Sequence, residues 1–129
     1  MADTPFWRRM ARLAQEKARF HVPGHKGNPA AIPPLGGLLR YDMTEIAGAD
    51  DLSRPAGPLL ESQRAMARLY GSGATLYSAS GSTSCIQAML TLFVKPGEPV
   101  VMARGCHVAA VRALAFLGAK PVWVLPENG

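Results

Sequence analysis

The second half of the chain alternates between two hydrophobic periods. Ala74 to Ser80 reads as a short strand. From Ser82 to Val94 the period lengthens, with Ile86, Met89, Leu90 and Phe93 forming an i, i+3, i+4, i+7 stripe. Lys95-Pro96-Gly97 is a turn, Pro99 to Arg104 a strand, His107 to Leu117 a helix capped by Gly118, and Pro121 to Leu125 a third strand. Helices of this length between strands predict an α/β fold of right-handed βαβαβ units on a parallel sheet. Before it, Pro58 to Tyr70 predicts a helix with Leu59, Ser62, Met66 and Leu69 on its buried face and Gly71 as its C-cap.

The first half reads differently. Thr4-Pro5 predicts an N-cap and a proline at the first helical position. Phe6, Met10, Leu13 and Lys17 then share one face of a helix running to about Arg19. Residues 20 to 57 are dense in glycine and proline and predict irregular loops without a core of their own. Within them Asp42 to Ile46 suits a short extended piece, and Asp50, Asp51 and Ser53 suit a turn. The expected organisation is a helix and loop segment over 1–57 and an α/β portion over 58–129. Three parallel strands call for more sheet, so the chain reads as truncated.

Composition narrows the function. At 129 residues and 48% apolar content the chain suits one domain with a modest core. Its apolar runs are too short to span a bilayer and its start lacks the apolar core of a signal peptide. The expected location is therefore the cytoplasm, with no membrane partner. The net charge of +5 is scattered rather than striped with aromatics, which argues against a nucleic-acid partner. Cys85 and Cys106 have no metal or disulfide spacing and read as small thiols. His21 and His25 are four apart, but Pro23-Gly24 between them breaks any helix, so no metal site is expected.

The candidate chemistry lies where Ser80-Gly81-Ser82-Thr83-Ser84 opens a helix. Such a junction offers unpaired backbone N–H groups, hydroxyls and the positive end of a helix dipole to one point, which suits a phosphate. Gly81 permits close backbone approach, and the Ser82 and Thr83 hydroxyls and N–H groups are the expected phosphate ligands. A plain helix cap is the structural alternative. No Walker or dinucleotide-binding glycine motif is present. His107 follows at the end of the next strand, where it could stack on a flat ring, act as an acid or base, or cap its own helix. Together these residues suggest an aromatic, phosphorylated cofactor rather than a free nucleotide.

An ordered series of motifs then carries a resemblance. Phe20-His21-Val22-Pro23-Gly24-His25-Lys26-Gly27, Asp42-Met43-Thr44-Glu45-Ile46, Asp50-Asp51-Leu52, Pro55-Ala56-Gly57-Pro58, Ser80-Gly81-Ser82-Thr83 and Arg104-Gly105-Cys106-His107 follow one another from Phe20 onward. In this order the chain resembles the N-terminal part of the major domain of the bacterial ornithine/lysine/arginine decarboxylases. The resemblance implies the aspartate aminotransferase fold, pyridoxal 5′-phosphate (PLP) as cofactor and a homodimer or higher homo-oligomer. It implies that Ser82 and Thr83 hold the PLP phosphate, that His107 stacks on the pyridine ring, and that the His21–Gly27 loop lies near an active site. PLP would act as an electron sink while carbon dioxide leaves a small basic amino acid, giving a polyamine-type amine.

The family's Schiff-base lysine and pyridine-pairing aspartate have no match in this sequence. His25-Lys26 belongs to the opening motif, and Lys17, Lys95 and Lys120 fall on a helix face, in a turn and before a strand. The expectation is a cofactor cradle that is inactive alone. Two alternatives remain: another PLP enzyme of the same fold, such as an aminotransferase or an aldolase-like enzyme, and a non-catalytic module binding a phosphate ligand or a partner chain. Among lysine, arginine and ornithine the sequence makes no choice, with Glu45, Asp50 and Asp51 the loosest of acidic candidates for the distal amine.

Overall fold

Proline opens the two longer helices of the first half, where its missing N–H costs no hydrogen bond. In the computed structural model, which describes residues 4–127, α1 spans Pro5–Leu13 and α3 spans Pro58–Tyr70. Between them lie a single 3-10 turn at Pro33–Leu35 and the short α2, Gly36–Leu39. The chain divides into two compact units, Met1–Tyr77 and Ser78–Gly129. The boundary expected from sequence is at residue 57; α3 instead packs against α1 within the first unit.

Helix α1 stops at Leu13, short of the expected Arg19. Its last turn tightens, with Gln15 N–H donating to the Arg12 carbonyl and Glu16 N–H to that of Leu13. Arg19 then folds back and donates from Nη2 to the Ala14 carbonyl at 2.8 Å. A cation on the last carbonyls of a helix complements its dipole. Lys17 is exposed beyond the helix rather than on its face. Thr4 stands at the N-cap but makes no side-chain capping bond.

The loop region has more core than its composition suggests. Ala49 is buried with Met10 and Leu13, and Phe6, Met43 and Ile46 pack around them. Asp42–Ile46 does not form a strand; its apolar positions face α1 instead. Arg9 fixes this arrangement by donating from Nε to the Gly48 carbonyl at 2.9 Å. Gly48 has φ +88°, and a Cβ there would sit 1.9 Å from Arg9 Nη2. Gly48→Ala therefore combines a strained backbone with the displacement of Arg9. We expect it to cost about 2 kcal/mol, read as a lower denaturant midpoint for the first unit.

In α3 the buried residues are Leu59, Gln63 and Ala67, an i, i+4 row. Leu69, expected inside, is mostly exposed. The small Ala67 lies on the buried row, where a small side chain permits close helix approach. Gly71 ends the helix in the left-handed conformation, as its position predicts.

The second unit runs α4 (Gly81–Phe93), β1 (Pro99–Ala103), α5 (Val108–Leu117), β2 (Lys120–Val124). The two strands pair in parallel, with Pro99 opposite Lys120 and Ala103 opposite Val124. Helix α5 supplies Ala109, Ala113 and Leu114 to the core, which Met102 of β1 shares. Gly118 caps α5 in the left-handed conformation. The expected first strand, Ala74–Ser80, is not a strand. A strand exists only through pairing, and the sheet of the described residues holds β1 and β2 alone. The observed unit is one βαβ preceded by a helix, not βαβαβ.

No residue of α4 is buried, and Met89 and Phe93 of its expected stripe are exposed. Every residue of β2 is exposed as well, including Val122 at 48% and Val124 at 52%. An apolar strand with an unpaired edge is a template for pairing with another chain. We expect concentration-dependent self-association of the chain in sedimentation velocity, reduced by Val122→Lys. None of the helices among the described residues is long and apolar enough to cross a membrane.

Candidate functional site

Two helices of the second unit run side by side toward a common edge. Gly97 in the turn after α4 donates its N–H to the carbonyl of Gly118, the C-cap of α5, at 2.9 Å. The two helices thus end together. They also pack along each other, so they run side by side in the same sense and begin at the same edge. That edge is the carboxyl end of β1, from which Arg104 to His107 lead into α5. The first turn of α4 and the N-cap of α5 therefore sit where parallel α/β sheets bind ligands.

The start of α4 is open. Ser80 occupies the N-cap position without a side-chain capping bond. Gly81 has φ +81°, and nothing lies within 4 Å of where its Cβ would be. Ser84 is already engaged, its hydroxyl donating to the Ser80 carbonyl at 3.0 Å. Ser82 and Thr83 are exposed, and their hydroxyls make no hydrogen bond among the described residues. The helix-cap alternative for Ser80 to Ser84 thus has no bond to support it. The orphan N–H groups of the first turn and the two hydroxyls are left for an outside acceptor.

His107 is the N-cap of α5, and its Nδ1 accepts the Ala109 N–H at 3.1 Å. Of the three readings open from sequence, this geometry realises the cap. It leaves the ring exposed. Because Nδ1 is the acceptor, the neutral ring carries its proton on Nε2. Cys106, next to it, is half-buried and Cys85 is exposed; both are free thiols. Arg104 was notable in sequence only as part of a motif. Its guanidinium carbon lies 5.2 Å from the centre of the Trp123 ring, a cation–π contact that places a positive charge at the same edge. A hollow of about 380 Å³ between α4 and α5, lined by Gln87, Thr91, Arg112 and Phe116, lies away from these residues along the helix bodies.

The lysines of the second unit stand apart from this edge. Lys120 begins β2 at the opposite end of the sheet and Lys95 lies in the turn after α4. In the first unit Lys26 donates its ammonium to the His21 carbonyl. Among the described residues no group of three or more His, Cys, Asp or Glu side chains is arranged to hold a metal ion. His25 Nε2 instead meets Asp42 Oδ2 at 3.1 Å.

Asp50 has a different role from the acidic candidate read in sequence. Its carboxylate accepts the N–H groups of Asp51, Ala56, Gly57 and Leu59 at 2.8–3.0 Å. Gly57 is the N-cap of α3 and has no side chain, so Asp50 caps that helix from outside. Burial pushes its pKa up, but the four N–H groups outweigh it and hold the carboxyl at about 2. Asp51 takes the Ser53 hydroxyl and N–H, forming the expected turn, and these bonds lower its pKa. Nothing in the sequence distance between Asp50 and Leu59 signals the cap.

Comparison with known proteins accounts for the motif order. Residues 4–129 match the model of the Orn/Lys/Arg decarboxylase major domain. The chain is 32% identical over 123 residues to an arginine decarboxylase of Halalkalibacterium halodurans, covering 92% of this chain and 25% of that protein. It is 27% identical to the lysine decarboxylase LdcA of Pseudomonas aeruginosa, covering 96% of this chain and 18% of that protein. The structure of the constitutive lysine decarboxylase of Escherichia coli superposes with a TM-score of 0.79 at 23% identity, over 95% of this chain and 19% of that one. The chain thus spans about a quarter or less of the length of these relatives. Its mixture of helices and parallel strands is the arrangement of the matching part of that structure. By the match across residues 4–129, the chain belongs to the Orn/Lys/Arg decarboxylase family.

Proposed function

We propose that this chain is the phosphate-holding part of a PLP-dependent decarboxylase acting on lysine, arginine or ornithine, built on the aspartate aminotransferase fold. One observation carries the reading: the uncapped start of α4 shares an edge with His107. The residues there fit the cofactor's phosphate. The N–H groups at the start of α4 and the Ser82 and Thr83 hydroxyls are donors without partners, and Gly81 leaves room for close approach. When bound, PLP supplies an electron sink that stabilises the charge left at the substrate's α-carbon as carbon dioxide departs.

The chain's own residues would do the following. Gly81, Ser82 and Thr83 bind the phosphate, with the α4 dipole favouring its negative charge. His107 presents a flat ring whose orientation is held by the Ala109 N–H on Nδ1. Its Nε2 carries the hydrogen of the neutral ring and could donate a hydrogen bond to a bound ligand. Arg104 adds positive charge at this edge, which would favour an anionic ligand. Neither Lys95 nor Lys120 of the second unit stands at this edge, so neither is placed to anchor the cofactor. The complete site would then form in a cytoplasmic homodimer or higher homo-oligomer.

The test is a spectroscopic titration of the purified chain with PLP. Saturable binding, competed by inorganic phosphate, supports the reading. A non-catalytic phosphate-binding module would bind phosphate equally well without any preference for PLP.

A further inference from the structure

We propose that His25 and Asp42 form a proton-sensitive clasp that holds the His21–Gly27 loop in its observed form. The closed state is the one with a neutral imidazole. This inference concerns the first unit alone and does not depend on PLP binding.

Both ring nitrogens of His25 are committed. Nδ1 accepts the Gly27 N–H at 3.0 Å, and Nε2 lies 3.1 Å from Asp42 Oδ2. An N–H can only donate, so Nδ1 must be unprotonated and Nε2 must carry the hydrogen that Asp42 accepts. The His25 side chain is only 12% exposed, whereas that of Asp42 is 61% exposed. The clasp joins two motifs 17 residues apart, from opposite sides of α2.

The backbone under the clasp needs such support. Lys26 has φ +54° and Gly27 φ +74°. A lysine in the left-handed region is strained and persists where its surroundings over-determine it. Here Lys26 N–H donates to the Pro23 carbonyl and Asn28 N–H to the His25 carbonyl. The Lys26 ammonium donates to the His21 carbonyl. The bond from Gly27 to His25 Nδ1 closes this turn.

Protonation of His25 puts a hydrogen on Nδ1, opposite the Gly27 N–H. Two donors then face each other, and Gly27 loses its acceptor. Charged groups of both signs surround the ring. Asp42 accepts from Nε2–H in either state of the ring. Lys26 lies in the same loop, and Arg19 Nη1 lies 2.6 Å from where a Gly27 Cβ would be. His21 is engaged with the Val22 carbonyl through Nδ1. The ring therefore stays on Asp42 while the turn at Lys26 and Gly27 is released. This makes the presentation of Lys26 a function of the state of His25.

The experiment uses the ¹⁵N-labelled 129-residue chain. Long-range ¹H–¹⁵N spectra identify the His25 tautomer, and amide exchange gives protection factors for Gly27 and Gly57 from about pH 8 to about pH 5. The clasp requires the Nε2–H tautomer at the upper end. It requires Gly27 protection to fall at least about tenfold in step with His25 protonation. The Gly57 amide, bonded to Asp50 at 2.8 Å, serves as the internal control for folding and keeps its protection. Asp42→Ala removes the acceptor of Nε2–H, so it should lower Gly27 protection at the upper end of the range. Gly27 protection that persists through His25 protonation overturns the proposal. So does an Asp42→Ala variant, with Gly57 still protected, whose Gly27 protection at the upper end is unchanged.

Discussion

Asp50→Ala is expected to destabilise the first unit by about 3 kcal/mol. The substitution removes a carboxylate that accepts four backbone N–H groups, including those of Gly57 and Leu59 at the start of α3. It also places alanine at φ +75°, where asparagine and aspartate are tolerated far better. Since α3 packs on α1, loss of this cap loosens the helix pair that carries the loops. Asp50→Asn separates the contributions. It keeps tolerance of the left-handed backbone and one oxygen acceptor, and should cost about half as much. Chemical denaturation of the three proteins, followed by circular dichroism, ranks them.

The same carboxylate sets an acid limit. Its folded pKa of about 2 lies below the ordinary value of 3.8, so the folded state binds its proton less readily than the unfolded state. The resulting stability is complete above 3.8 and disappears as pH falls through about 2. Asp50 is only half-buried, so solvent screening reduces its worth to about 1–2 kcal/mol. Asp50→Asn should lack this part of the acid dependence.

The second large effect is on cofactor affinity. Ser82→Ala combined with Thr83→Val should weaken PLP binding about 100-fold, the equivalent of roughly 3 kcal/mol for two charge-assisted hydrogen bonds. The backbone N–H groups of α4 remain, so binding weakens without vanishing. Ser84→Ala is the matched control. Its hydroxyl already serves the Ser80 carbonyl, and its removal should leave affinity unchanged. Equal losses in both proteins would mean that the hydroxyls act through helix stability and not through the phosphate.

What could be read in advance depended on how local the cause was. The helices at Pro58–Tyr70 and Gly81–Phe93, and their glycine or turn endings, follow from proline placement, apolar period and caps within a few residues. So does the pairing of β1 with β2 through α5, because a hydrophobic strand, a helix and a second strand in close order leave few topologies. Ala74 to Ser80 failed as a strand because pairing is a property of the neighbour and not of the segment. Leu69 and Phe93 are apolar yet exposed, since period alone does not say which face another element covers. Residues 20 to 57 were the least legible. Their order comes from long-range side-chain to backbone bonds, such as Arg9 to Gly48 and Asp50 to Leu59, that leave no periodic trace. The candidate site could be proposed from the sequence as a set of residues. Its geometry could not, because the shared edge of α4 and α5 depends on the contact between Gly97 and Gly118.

The most direct test of the central claim is borohydride reduction of the PLP-loaded chain followed by peptide mapping. The account predicts saturable binding in which no specific lysine becomes covalently labelled, because the groups at the start of α4 hold the phosphate, neither lysine of the second unit stands at that edge, and the Lys26 ammonium is engaged with the His21 carbonyl. A specific adduct on Lys26 would contradict it, since the His21–Gly27 loop would then be the cofactor anchor. Absence of any binding would equally contradict a cradle formed by Gly81, Ser82, Thr83 and His107.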